Sequence, residues 1–185
     1  RPGLGPDQGH RRHRPHPHQR TAQAFNALFF TPTGAGSVCF ASIEGGAFAQ
    51  VQQDVRALLD ADPERSGTPV ELSRDDYGHS WLLSCRAPDN LPALVNDLHA
   101  VNTALQDSGF GPQVLCSLVA FHDAELRPLA LVYFYKRGTF YPFAPQPGEK
   151  RDNPLELQVK TIVKEDLLIE QDLTRWFPLR GVPGL

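Results

Sequence analysis

The chain has 185 residues, with 17 Pro, 15 Gly, 3 Cys and no Met, enough for one ordinary domain whose core needs neither disulfide nor metal to fold. Its 41% hydrophobic and 21% charged residues exclude a mainly disordered chain, a coiled-coil rod and a chain spanning a membrane by helices. The net charge of −3 divides unevenly. Residues 1–20 hold five Arg and one Asp, whereas residues 21–185 hold 13 basic and 20 acidic side chains. The folded part is therefore acidic, and nucleic acid is not an expected partner.

Residues 1–30 read as a basic, poorly ordered N-terminal segment rich in Pro, Gly, His and Arg. Within it Thr21–Phe30 suits a short helix with Ala24, Leu28 and Phe29 on one side. The chain begins with Arg and has no Met, which points to a processed or truncated product. Thr31–Gly36 reads as a turn, and Ser37–Ile43 as a strand with Val38 and Phe40 on one face. Phe48, Val51, Val55 and Leu58/Leu59 recur at helical spacing, predicting an amphipathic helix over Ala47–Asp60. Pro69–Arg74 and His79–Arg86 read as strands joined by a tight turn at Asp75–Gly78, with Trp81 and Leu83 on one face and Leu82 on the other.

Asp89–Asp107 is the clearest helix. Asp89 or Asn90 can cap it, Pro92 suits its first turn, and Leu91, Leu94, Val95, Leu98, Val101, Asn102 and Leu105 trace one stripe. Three strands follow, over Gln113–Phe121, Pro128–Lys136 and Thr139–Phe143, with Pro142 marking the last as an edge strand or a loop. Pro154–Lys164 predicts a helix with Leu155, Val159 and Ile162 on its buried face, and Asp166–Phe177 a second short helical segment before an extended end. Hairpin-linked strands between helices predict an α+β domain over residues 31–185, an antiparallel sheet flanked by helices.

Motifs that carry chemistry are sparse. The thiols Cys39, Cys85 and Cys116 show no metal spacing and read as reduced and buried, as in a cytosolic protein. His10, His13, His16 and His18 lie in the tail with no cage around them, so no metal or cofactor is expected. Gly34-Ala35-Gly36 precedes a strand, which suits a turn and not a phosphate loop. An enzyme would have to use Cys116, with His99 or His122 as base, or the Asp75/Asp76 pair. The richest stretch is Tyr133–Phe143, where six aromatics surround Lys136 and Arg137. Together with Trp176, the residues Lys136, Arg137, Phe140, Tyr141 and Phe143 are the expected partner-binding set, because aromatics beside cations make protein hot spots.

Four stretches resemble one family: GAGSVCFASIEGGAF (34–48), LVNDLHAVNTALQDSGFGPQVLCSLVAF (94–121), LVYFYKRGTFYPFAPQPGEKRDNPLELQV (131–159) and DLTRWFPLRGVPGL (172–185). They are similar to the actinobacterial phage-shock-protein-A-associated family PspAB. The resemblance implies a noncatalytic accessory protein of the envelope-stress response. It implies a cytoplasmic location, with recruitment to the inner face of the membrane through a partner and no stable insertion of its own. The implied partner is phage shock protein A (PspA) or a neighbouring membrane zinc protease of the HtpX type. The element order also resembles the YbjN and type III secretion chaperone-like fold, an architecture-level analogy that does not by itself give function. A small cytosolic enzyme or ligand-binding domain is the competing expectation.

Overall fold

In the computed structural model, the residues described are Arg20, Gln23, Phe25, Asn26, 28–65 and 68–185; the histidine tail lies outside them. Strand β1 (Thr31–Ala41) starts six residues before the expected point. The stretch read as a turn pairs with β4 (Val114–His122) through an irregularity between Pro32 and Gly36. Gly34 makes this possible. Its φ is +89°, and a Cβ there would lie 2.1 Å from the Arg86 carbonyl oxygen, so the turn-like composition encodes a bulge inside a strand.

Helix α1 (Gly46–Asp60) buries Phe48, Val55 and Leu59. Strands β2 (Glu71–Arg74) and β3 (His79–Cys85) form the expected hairpin, with Gly78 at φ +84°. Helix α2 (Leu91–Asp107) starts where its Asn90 cap accepts from the Ala93 N–H, with Pro92 in the first turn. Strands β5 (Pro128–Phe134) and β6 (Thr139–Phe143) follow β4, and β7 (Pro145–Gln146) pairs with β8 (Lys150–Arg151) as a small ribbon. Helix α3 (Asn153–Val163) is capped by Asp152. The second helical segment expected after it is only a single 3-10 turn, Leu173–Arg175.

The six long strands make one sheet in the order β2-β3-β1-β4-β5-β6, antiparallel at every pairing. The α+β class with helices flanking an antiparallel sheet is thus as expected. Strand alternation divides the core in two. Val38, Phe40 and Leu82 pack with Phe48, Val55, Leu59, Leu98, Val101 and Leu105 beneath α1 and α2. On the other face Cys39, Trp81, Cys116, Val132, Tyr141 and Phe143 pack with Val159, Val163 and Trp176.

Two faces differ from their expected form. Helix α3 turns Glu156, Val159 and Val163 inward, and Leu155 and Ile162 flank that stripe half-buried. The Glu156 carboxylate goes in because Arg151 Nε and the Ala144 N–H both donate to it. Burial still pushes its carboxyl up, against the opposing pull of Arg151. Near the N-terminus Phe29 stays exposed, whereas Phe25 and Phe30 are buried, Phe25 on Phe121 with ring centroids 4.2 Å apart.

Candidate functional site: an apolar groove beside helix α2

Helix α2 packs over β1, β3 and β4, and among the described residues no other helix covers the same face of β5 and β6. Between helix and sheet runs a groove of about 1080 Å³. Its helical wall presents Leu91, Val95, Leu98 and Asn102, with His99 and Gln106 above them. Its floor comes from alternate residues of neighbouring strands, which share a face: Ser117 and Val119 of β4, Leu131 and Tyr133 of β5, and Phe140 of β6. Tyr133 sits with its ring centroid 4.8 Å from Phe140 and 4.9 Å from Tyr135. The Tyr135 hydroxyl donates to Ser117 Oγ at 3.3 Å, and burial pushes that hydroxyl's pKa up.

One polar atom in this apolar setting has no partner. Asn102 is buried, lines the groove, and its Oδ1 accepts no hydrogen bond from the described residues. Buried acceptors are normally paired, and an orphan costs about 1–3 kcal/mol.

The expected binding residues divide. Phe140 and Lys136 line the groove. Arg137 is exposed beside it, but its guanidinium is engaged by Glu170 at 3.3 Å. That contact and the Thr139 hydroxyl hold the Glu170 carboxyl below its usual range. The structure corrects the other three. Tyr141, Phe143 and Trp176 are core residues of the opposite face. The Tyr141 hydroxyl donates to the Phe177 carbonyl at 2.9 Å, Phe143 lies under the Arg151 guanidinium, and Trp176 Nε1 donates to the Glu170 carbonyl at 3.0 Å. They dock the C-terminal segment against the sheet.

Strand β6 is an edge, as Pro142 predicts. That edge is partly taken. The Phe140 N–H donates to the Leu168 carbonyl, and the Phe140 carbonyl accepts from the Glu170 N–H, both at 2.9 Å. The chain's own segment thus occupies the β6 edge at Phe140, where a partner strand would otherwise add.

Of the residues named for an enzyme, Cys116 and Asp75 line one cavity, whereas His99 and His122 are not placed beside Cys116. Cys116 is on the sheet face opposite His99, and His122 is six residues further along β4, about 20 Å away at strand rise. Asp75 spends its oxygens on the β2–β3 hairpin, accepting from the Tyr77 and His79 N–H groups and from Trp81 Nε1. Burial opposes its charge, but these bonds outweigh it and hold the carboxyl low. Asp76 is exposed. Cys85 is only half-buried, unlike the buried thiol expected. Among the described residues no group of three or more His, Cys, Asp or Glu is placed to hold a metal, and no helix is long and apolar enough to cross a membrane.

Sequence reasoning placed Leu91, Val95, Leu98 and Asn102 on one helical stripe and Tyr133 in the aromatic stretch, and the structure sets the two side by side. The available signal was Asn102 itself, an amide inside an otherwise apolar helical stripe.

Fold and groove define a class: an α+β domain with a half-covered antiparallel sheet and an open apolar groove. A family model described as PspA associated protein B matches residues 21–184, and the chain belongs to this family, PspAB. Comparison with curated proteins and with solved structures gives no match, so the likeness to the YbjN and secretion-chaperone fold rests on element order alone.

Proposed function

We propose that this chain is a noncatalytic, chaperone-like accessory protein of the phage-shock envelope-stress response that holds a segment of PspA in the groove beside α2. The observation that carries the reading is the uncovered apolar sheet face with an unpaired Asn102 Oδ1 in its wall. The family's description as PspA-associated supplies the partner. A groove of about 1080 Å³ has room for roughly nine residues of a helix about 10 Å across. An amphipathic helix would lay its apolar side on Val95, Val119, Leu131, Tyr133 and Phe140. The protein then works in the cytoplasm and reaches the inner face of the membrane through PspA.

Calorimetric titration of the chain with purified PspA tests this. Wild type binds, and Val95→Glu or Tyr133→Ala lowers affinity at least tenfold while circular dichroism stays unchanged. Failure of the wild type to bind removes PspA as partner, and an HtpX-type protease becomes the protein to titrate. Binding that survives both substitutions removes the groove as its location.

A further inference from the structure

Cys39 of β1 and Cys116 of β4 are 77 residues apart in sequence but direct partners across two antiparallel strands at the centre of the sheet. Both are free thiols, 3% and 5% exposed, on the face opposite the groove. Directly opposed residues in such a pair have Cα atoms about 4.5–5.5 Å apart. That falls inside the span of about 4.4–6.8 Å that a disulfide bridges. The strand register shifts immediately after Cys39, a local irregularity of the kind that re-aims side chains.

The pair is buried but not sealed off. Both thiols line a second cavity of about 490 Å³, together with His79, Trp81 and Phe134 and under Phe177 and Arg180 of the C-terminal segment. Such a volume admits a small polar oxidant. Cys85 provides an internal contrast. It is half-buried on β3 and lies opposite Ala35, not opposite another thiol.

We propose that Cys39 and Cys116 are an oxidisable dithiol site, which a small peroxide entering this cavity converts to a reversible cross-strand disulfide. The hydrogen bond with Cys116 and burial both push the Cys39 thiol up. The two thiols are direct cross-strand partners, so either sulfur can attack first; in one order it is Cys116. It takes one oxygen from hydrogen peroxide, giving a sulfenic acid and one water. The Cys39 thiol then displaces that hydroxyl, forming the S–S bond and releasing a second water. Two thiols and one peroxide become one disulfide and two waters, the peroxide being the species reduced. The proposal stands independently of the groove and its partner.

The test exposes the full native chain to graded hydrogen peroxide, then labels remaining thiols with N-ethylmaleimide in denaturant and maps peptides by mass spectrometry. The expected result is the joint loss of two labelling sites of the three, a Cys39–Cys116 linked peptide, and recovery of all three sites with dithiothreitol. In Cys39→Ser, dimedone captures a sulfenic acid at Cys116. Labelling of Cys39 and Cys116 that persists at peroxide levels which oxidise Cys85 overturns the proposal. So does a bridge that appears only after denaturation or that joins Cys85. The wild-type map decides even where the serine variant does not fold.

Discussion

Asp97 of α2 accepts two bonds from Arg86, Nε to Oδ2 and Nη2 to Oδ1, each 2.8 Å long. This fork ties the helix to the residue that follows β3. Arg65 adds a third bond at 2.7 Å and the Ser84 hydroxyl a fourth at 2.6 Å, and Arg86 also reaches Asp62 at 2.7 Å. The network fixes how α2 lies over the sheet, and so fixes one wall of the groove. Removing one partner leaves buried charge uncompensated, at about 3–5 kcal/mol. Asp97→Ala is expected to lose that much in urea denaturation, and Arg86→Lys to recover little, since an ammonium cannot grip both oxygens. A loss below about 1 kcal/mol for Asp97→Ala would mean that packing alone holds the helix.

The same carboxylate sets an acid limit. Burial opposes the charge of Asp97, but Arg86, Ser84 and Arg65 outweigh burial and hold its carboxyl below the usual range; Asp75 is likewise held low. A carboxyl depressed on folding contributes stability that is complete above its unfolded value, about 3.9. That contribution is lost as pH falls through the folded value. Glu156 has the opposite sign. Its folded value is raised, so its contribution falls as pH rises from the ordinary carboxylate range through that value. Urea midpoints across an acid series are expected to drop below about pH 4, and Asp97→Asn to flatten that drop while lowering stability throughout. An unchanged slope in the variant would assign the acid limb to other groups.

The aromatic cluster separates into two functions that mutagenesis can tell apart. Trp176 is 5% exposed and stacks on Tyr141 with centroids 6.4 Å apart. Trp176→Ala is expected to destabilise by about 3–5 kcal/mol, and Tyr141→Phe by about 1 kcal/mol through loss of the bond to the Phe177 carbonyl. Phe140→Ala, at the groove floor, is expected to lower PspA affinity with a smaller stability loss. Thermal melts and titrations on all three variants provide the check. Equal unfolding by all three would place Phe140 with the core.

What the sequence made legible follows from where physics is local. Strand alternation at Trp81/Leu82, the α2 stripe and the Gly78 hairpin depend on near neighbours, and each formed as read. The Thr31–Gly36 strand did not, because its register depends on the Arg86 carbonyl packed against Gly34, 52 residues away in sequence. The burial of Tyr141, Phe143 and Trp176 is not fixed by the sequence, because aromatic density alone does not say which face of a sheet receives the C-terminal segment. Glu156 was missed because a buried carboxylate is licensed only by Arg151 and the Ala144 N–H, partners that no helical period reveals. The position of the groove was not legible for a related reason: it lies where α2 leaves strands uncovered, and sequence reports helices more readily than the gaps beside them.

Asn102 turns that gap into a quantitative test. In the free chain its Oδ1 is buried with no donor, and replacing such a group with an apolar one of similar size removes a desolvation penalty of about 1–3 kcal/mol. Asn102→Leu is therefore expected to raise the melting temperature of the isolated protein. If a donor from PspA satisfies Oδ1 in the complex, the same substitution removes a bond that forms only on binding, and affinity falls by about tenfold, the equivalent of 1.4 kcal/mol. Opposite movements of stability and affinity from one side chain are the mark of a group kept for recognition. Melting and titration of Asn102→Leu against wild type read both. A variant that is less stable and binds as before would make Asn102 a structural residue of α2 and leave the groove without its polar contact.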